Sequence, residues 1–235
     1  MVYLIDSHSL LYQVFHAVPM MTGPNGQPTN AIFGFANDMN RLRKRKPDYL
    51  ICVFDPPGPT FRDTLYAEYK AHRAPMPDDL YGQLQGIRRL LEAMRIPAVA
   101  VAGFEADDVM ATLAVQFAQA GHEVAICTRD KDCRQLISDN IHLYNARNDM
   151  MFGIRELQED WGILPSQVVD LLALTGDSVD NVPGIPGIGV KTASKLLQEY
   201  QTIEGILAAL PHMKPSKMKQ NLLEHQEVLK LSRQL

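Results

Sequence analysis

The chain has 235 residues, a formal net charge of −4, 46% hydrophobic and 21% charged residues, which fits a globular protein with its own core and room for one large or two small domains. No apolar run approaches the length of a membrane span, and MVYLID enters a predicted strand with no basic leader or cleavage site, so a cytoplasmic protein is expected. Three cysteines, Cys52, Cys127 and Cys133, form no CxxC pair and suit buried thiols in a reducing compartment better than disulfides or zinc.

Val2–Ile5 reads as a buried strand ending at Asp6. Ser7–Ala17 follows as a helix, with Leu10, Leu11, Val14 and Phe15 on its apolar side and Tyr12 elsewhere on its surface. Pro19–Pro28 is a loop, after which Thr29 or Asn30 caps a second helix to about Lys46, where Gly34 permits a close backbone approach. Tyr49–Phe54 is the second strand, ending at Asp55. Pro56–Pro77 is bounded by prolines and interleaves Phe61, Tyr66 and Tyr69 with Arg62, Lys70, His72 and Arg73. Aromatic faces for bases and cations for phosphates are what single-stranded nucleic acid requires, so this stretch is expected to contact substrate.

Asp78–Arg95 is predicted as a helix, Ala98–Val101 as a strand, and Glu105–Ala120 as a helix with Val109, Leu113 and Phe117 on its buried side. Glu123–Thr128 is a strand leading to Asp130 and Asp132, Lys131–Leu136 a short helix, and Ile141–Tyr144 a further strand. Strands alternating with helices predict an α/β fold, a mainly parallel doubly wound sheet, over residues 1–153. From about Ile154 the pattern is helical, which predicts a second subdomain over 154–235.

Carboxylates recur where these strands end. Asp6, Asp55, Asp130 and Asp132 follow apolar runs, while Glu105, Asp107 and Asp108 crowd the first turn of one helix. Helix capping accounts for one or two acids in a first turn and poorly for three. In a parallel sheet such strand ends share one edge, the edge at which open α/β folds bind ligands. Acids converging there repel one another unless a cation lies among them, and hard oxygen ligands favour Mg²⁺ or Mn²⁺. In the helical part Asp177 and Asp180 are spaced one helical turn apart, close enough to share a metal with the others. The sequence GIPGIG then opens a helix at Val190-Lys191-Thr192. Lacking the preceding strand of a nucleotide-binding loop, it reads as a helix–hairpin–helix, residues 183–200, whose backbone amides take phosphate. The net charge is acidic, yet bound metal would neutralise the clustered acids and leave RLRKRK (41–46), Arg62 to Arg73 and the Lys-bearing C-terminal third as basic surface.

The motifs DSHSLLYQVFHA, FGF, VFD, TFRDTLYAEYKAHRAP, GFEADDV, TRDKD, LTGDSVDN and PGIPGIGVKTA, in that order, resemble the 5′ nucleases, and most closely the N-terminal 5′→3′ exonuclease domain of bacterial DNA polymerase I. The resemblance implies a PIN-like nuclease core and a structure-selective 5′ exonuclease and 5′-flap endonuclease, working in DNA replication and repair with two or more divalent ions. By motif position it implies that Asp6, Asp55, Glu105, Asp107 and Asp108 serve a first metal, that Asp130 bridges, and that Asp132, Asp177 and Asp180 serve a second. It implies that Lys70 and Arg73, in a helical arch near 56–77 of the core, meet the scissile phosphate with Tyr12 nearby, and that Arg62, Gly187, Gly189, Lys191 and Thr192 contact DNA. Further implications are K⁺ at the helix–hairpin–helix, substrates with 5′ flaps, ends or nicks, RNA-primed 5′ ends, a bacterial, nucleoid-associated setting, and a polymerase domain in the same or a separate chain. Gln13 stands where many relatives carry Arg and Arg129 where a small residue is usual, and the chain stops at LSRQL, short of the family's closing strand and helices.

The mechanism expected is metal-assisted phosphodiester hydrolysis, in which one ion makes hydroxide and another stabilises the leaving oxygen. His8 and His16 are expected to be structural or peripheral and not catalytic. A nuclease-inactive DNA-junction binder would gain nothing from acids facing phosphate, and a phosphatase of the haloacid-dehalogenase type would need DxD where this chain has Asp6-Ser7-His8.

Overall fold

The computed structural model describes residues 1–235. Its elements in chain order are β1 (Val2–Asp6), α1 (Ser7–Ala17), α2 (Asn30–Lys44), β2 (Tyr49–Val53), α3 (Phe61–Leu65), α4 (Asp78–Tyr81), α5 (Leu84–Ala93), β3 (Ala98–Val99), α6 (Ala106–Gln119), β4 (Val124–Cys127), β5 (Ile141–Asn145), β6 (Met150–Phe152), α7 (Ile154–Trp161), α8 (Val168–Thr175), α9 (Val190–Tyr200), α10 (Ile203–Ala209), α11 (Lys217–Glu224) and α12 (Gln226–Gln234). No helix is long and apolar enough to cross a membrane. The chain divides into two compact units, Met1–Thr60 with Ala74–Gly153, and Phe61–Arg73 with Ile154–Leu235. Phe61–Arg73, expected as an arch of the core, thus clusters with the helical unit, and only its first five residues are helical.

In the first unit the strand order is β3-β2-β1-β4-β5-β6. The first five strands are parallel and β6 is antiparallel to β5. VYLI and VAIC are buried throughout, as strands covered on both faces must be. β6 was not expected: Met-Met-Phe is too short to show alternation, and it forms because the chain reverses through Asp149 at φ +58°, whose carboxylate is held by Arg45 and by the Tyr144 hydroxyl. The strand expected over Ala98–Val101 pairs only at Ala98 and Val99.

The helix expected over Asp78–Arg95 is broken between α4 and α5, because Gln83 turns its side chain inward and is almost fully buried. Its Oε1 accepts the Ala31 and Ile32 N–H groups at 2.9 and 3.2 Å, while its Nε2 donates to Asn30 Oδ1 and to the Asp79 carbonyl. Asn30 in turn donates to the Phe15 and Val18 carbonyls at the end of α1. Thr29 occupies the cap position of α2 without a side-chain bond; the leading amides are satisfied by a residue distant in sequence instead. At Gly34 a Cβ would fall 2.7 Å from Val14 Cβ, so the glycine sets the contact of α1 with α2.

The second unit is helical. Its core includes Leu157, Val168, Leu171, Leu174, Leu197, Ile206 and Leu229, with α8 packed against α9 and α12. Asp170, buried, accepts the Ile203 N–H at 2.9 Å and meets Arg233 at 3.3 Å, which ties α10 and α12 to α8.

Replacing Gln83 by Leu leaves the Ala31 and Ile32 amides and the Asn30 carbonyl oxygen without this partner inside the core. Urea denaturation should show a loss of about 2–3 kcal/mol, since each buried polar group so stranded costs about 1–3 kcal/mol. A loss below about 0.5 kcal/mol would mean that α2 is capped by some other group.

Candidate active site

Parallel pairing brings the strand-end acids of the first unit to one edge. Asp6 is the last residue of β1, in register with Val53 of β2, and Ile5 is in register with Cys127 of β4. Asp55 therefore lies two residues past the level of Asp6 on one side, and Thr128, one residue past Cys127, lies level with Asp6 on the other. β1 sits between β2 and β4, where the strand order reverses, which is the binding position of open α/β sheets.

Each acid is also fixed by a backbone amide. Asp6 Oδ1 accepts the Ser9 N–H at 3.0 Å and caps α1. Asp55 Oδ1 accepts the Ala106 N–H at 2.8 Å, at the first residue of α6. Asp108 Oδ2 accepts the Glu105 N–H and Asp107 Oδ1 accepts the Asp108 N–H, at 3.0 and 2.7 Å. Asp130 Oδ1 accepts the Asp132 N–H at 2.9 Å and opens a 3₁₀ helix over Asp132–Leu136, within the short helix expected at Lys131–Leu136. Thr128, read in the sequence only as a strand end, links two acids: its hydroxyl donates to Asp6 Oδ2 at 2.7 Å and accepts the Asp130 N–H at 3.0 Å. His8, expected to be structural or peripheral, places Nδ1 3.1 Å from Asp55 Oδ2. Neither role carries a signal in local sequence, since both depend on contacts across the sheet edge. Tyr12 packs partly buried against the core with its ring near His16, and Gln13 bonds to Ser9 on its own helix.

Burial raises the Asp6 carboxyl above its ordinary value, and the charges of Asp55 and Asp130 raise it further, against the opposing bonds from Ser9 and Thr128. Burial pushes the Cys133 thiol well up, with Asp130, Asp107, Asp6 and Asp132 adding to it. The side chains gathered at this edge are mainly carboxylates, the donor type that suits a hard divalent cation. No three His, Cys, Asp or Glu side chains converge closely enough to hold one ion. Glu105, 7% exposed, is the most buried of the expected ligands.

Asp177 and Asp180 belong to the second unit, and they do not share a helix face as their spacing suggested. α8 ends at Gly176, φ +67°, and the chain turns back through a bridge between Asp177 and Val182. The Asp177 carboxylate closes that turn by accepting the Val179 N–H at 2.7 Å. Only glycine serves at 176, because a Cβ there would lie 2.5 Å from the Gly184 nitrogen. Asp180, 8% exposed, receives Nε and Nη2 of Arg73, with Lys70 Nζ 3.9 Å from its other oxygen. Arg62 is engaged internally, with Nε on the Leu235 carbonyl and its guanidinium over the Phe61 ring.

Beyond this turn Ile185 and Ile188 are buried and pin the hairpin, while Pro186, Gly187 and Gly189 are exposed. Gly189 is the N-cap of α9 and offers no side-chain acceptor to its first amides. Thr175 and the Gly184–Gly189 backbone line an open concavity of about 480 Å³. Lys191 is exposed and Thr192 half-buried in the first turn of α9. A glycine-lined helix start of this kind can take a phosphodiester.

Residues 1–162 match the family described as 5′-3′ exonuclease, N-terminal resolvase-like domain, and residues 163–235 match 5′-3′ exonuclease, C-terminal SAM fold. The chain belongs to the 5′-3′ exonuclease family. It is 43% identical over 206 residues to a 5′-3′ exonuclease of Aquifex aeolicus, covering 87% of this chain and 71% of that one. It is 42% identical to the thermostable DNA polymerase I of Thermus aquaticus, over 98% of this chain and 28% of the polymerase. It is 40% identical to DNA polymerase I of Rhizobium leguminosarum, over 99% and 24%. The chain thus spans about a quarter of the length of these two polymerases. In fold it is similar to T5 5′-exonuclease with bound zinc ions, with a TM-score of 0.81 at 21% identity over 99% of this chain and 87% of that one. It is also similar to the catalytic core of Rad2 in complex with DNA substrate, with a TM-score of 0.62 at 19% identity over 97% and 69%. By its family the chain is a 5′-3′ exonuclease.

The raised Asp6 carboxyl predicts a pH signature in the metal-free protein. A folded-state value above the ordinary 3.8 means that Asp6's contribution to stability is complete below 3.8 and is lost as pH rises through the folded value. With EDTA at neutral pH, Asp6→Asn, which keeps the Ser9 cap, should melt no lower than wild type. Any advantage should shrink as the pH falls toward 3.8. A variant less stable at neutral pH and unchanged on acidification would show that the Asp6 charge is not under strain.

Proposed function

We propose that this exonuclease hydrolyses DNA phosphodiesters at 5′ ends and 5′ flaps with divalent-metal assistance, in the trimming of flaps and primers during bacterial replication and repair. The observation that supports this most is the row of amide-fixed carboxylates at the reversal point of the sheet, in a chain of this family. Asp6, Asp55, Asp130 and Asp132, with Asp107 and Asp108 on α6, would hold Mg²⁺ or Mn²⁺, and Asp177 and Asp180 would serve a second ion. Bound ions of this kind supply a water acidic enough to attack at neutral pH and stabilise charge on the leaving oxygen.

The protein's own groups divide the remaining work. Thr128 ties the Asp6 carboxylate to the Asp130 backbone and so sets the orientation of one acid against the position of the other. Lys70 and Arg73 offset negative charge developing on the phosphate. The Gly184–Gly189 hairpin and the start of α9 take the duplex backbone without reading sequence, and Tyr12 offers an aromatic face. No serine or histidine nucleophile enters the reaction. The setting proposed is the cytoplasm, with a polymerase domain as partner in the same or a separate chain.

The test is a 5′-flap duplex incubated with Mg²⁺, labelled at either end in turn. Cleavage should stop in EDTA while duplex binding persists, and equal cleavage with and without chelator would overturn the metal-assisted reading. Lys70→Ala should lower the single-turnover rate by about 100-fold or more, with duplex affinity changed by less than about threefold, since one cation meets the reacting phosphate while many contacts set affinity. Equal proportional losses of rate and binding would make Lys70 an ordinary backbone contact.

A further inference from the structure

The basic segment Phe61–Arg73 is built from overlapping turns, with Tyr69 N–H on the Tyr66 carbonyl, Ala71 N–H on the Glu68 carbonyl and Arg73 N–H on the Lys70 carbonyl. Such turns bury few apolar groups, and only Tyr69 of this stretch is buried, so something outside the segment must fix its shape. The Asp177–Val182 turn does so at three points. Asn181 Nδ2 donates to the Glu68 carbonyl at 2.7 Å, the Lys70 N–H donates to the Asp180 carbonyl at 2.9 Å, and Arg73 donates twice to Asp180 Oδ1. Lys70 is held at φ +55° and Asn181 at φ +56°. The left-handed region is unfavourable for lysine, and asparagine is among the side chains that tolerate it best. Position 181 therefore demands two things together: a residue at ease in that conformation and an amide donor aimed at the middle turn.

We propose that Asn181 is a positioning residue for the reaction: by holding the Glu68 carbonyl it fixes the strained turn at Lys70 and so aims Lys70 and Arg73. It touches neither phosphate nor cation and acts through the segment. The inference rests on the reading of those two residues as phosphate-facing cations, and names what presents them.

Two variants of the full chain separate backbone from hydrogen bond. Asn181→Gly keeps the left-handed turn and loses the donor; Asn181→Asp is isosteric and sets an acceptor against the Glu68 carbonyl. Three measurements apply to each: single-turnover cleavage of a 5′-flap duplex with Mg²⁺, duplex affinity in EDTA, and trypsin cleavage after Lys70 and Arg73 without DNA. Both variants should be cut by trypsin several-fold faster than wild type, Asp more than Gly. Both should lose about tenfold or more in rate while duplex affinity stays within about twofold. Combined with Lys70→Ala, the rate losses should be less than additive, because the two residues act on one element. Wild-type trypsin kinetics in both variants would overturn the proposal. Faster proteolysis with an undiminished rate would also overturn it where Lys70→Ala alone is slow; where Lys70→Ala is equally fast, the reading of Lys70 itself has failed and the positioning role falls with it.

Discussion

The mutual repulsion of carboxylates gathered at one sheet edge is the constraint that the first unit is built to bear. Burial raises the cost of ionising Asp6, and the charges of Asp55 and Asp130 add to it. The fold offsets this by making each acid an acceptor for the start of a helix. Asp6 caps α1, Asp55 meets the first amide of α6, Asp108 bonds across the α6 N-terminus, and Asp130 opens the 3₁₀ turn at Asp132. The positive ends of these elements favour negative charge within the first turn. Capping and the proposed cation holding would thus be two uses of one set of atoms. A carboxylate has about four lone-pair sites, and one amide bond leaves others open.

This double use explains why the sequence was informative about the acids and silent about their supports. Asp6, Asp55 and Asp130 are legible because buried parallel strands are continuous apolar runs, so that a carboxylate at the end of each stands out. Thr128 and His8 are not, because a threonine ending a strand and a histidine in a first turn are ordinary in local terms. Their importance comes from neighbours 122 and 47 residues away in the chain. The break after α4 was hidden for the same reason: a glutamine in a helical pattern reads as solvated, and only the unpaired amides of α2 give it cause to turn inward.

The spacing of Asp177 and Asp180 misled in a different way. Three residues apart is one helical turn, and the apolar pattern of α8 runs up to it, but Gly176 leaves the helix and Asp177 supplies its own turn. An Asp bonding an amide two residues on competes with helix continuation wherever a glycine has freed the backbone. The contact of Gly176 with Gly184 then brings this turn against the start of the hairpin, a backbone approach that any Cβ would prevent. Pattern alone gives the glycines but not which pair will meet.

The membership of Phe61–Arg73 has the largest consequence for function. The segment leaves the first unit after Thr60 and rejoins it at Ala74, yet its residues pack with the helical unit. Lys70, Arg73 and the glycine hairpin are therefore parts of one compact body, tied through the Asp177–Val182 turn, to which both the segment and the hairpin are joined. If, as proposed, the hairpin grips duplex backbone and Lys70 and Arg73 face the reacting phosphate, both are carried on the same unit. Two proposed phosphate contacts carried on one compact unit would respond to the shape of a backbone and need no reading of bases.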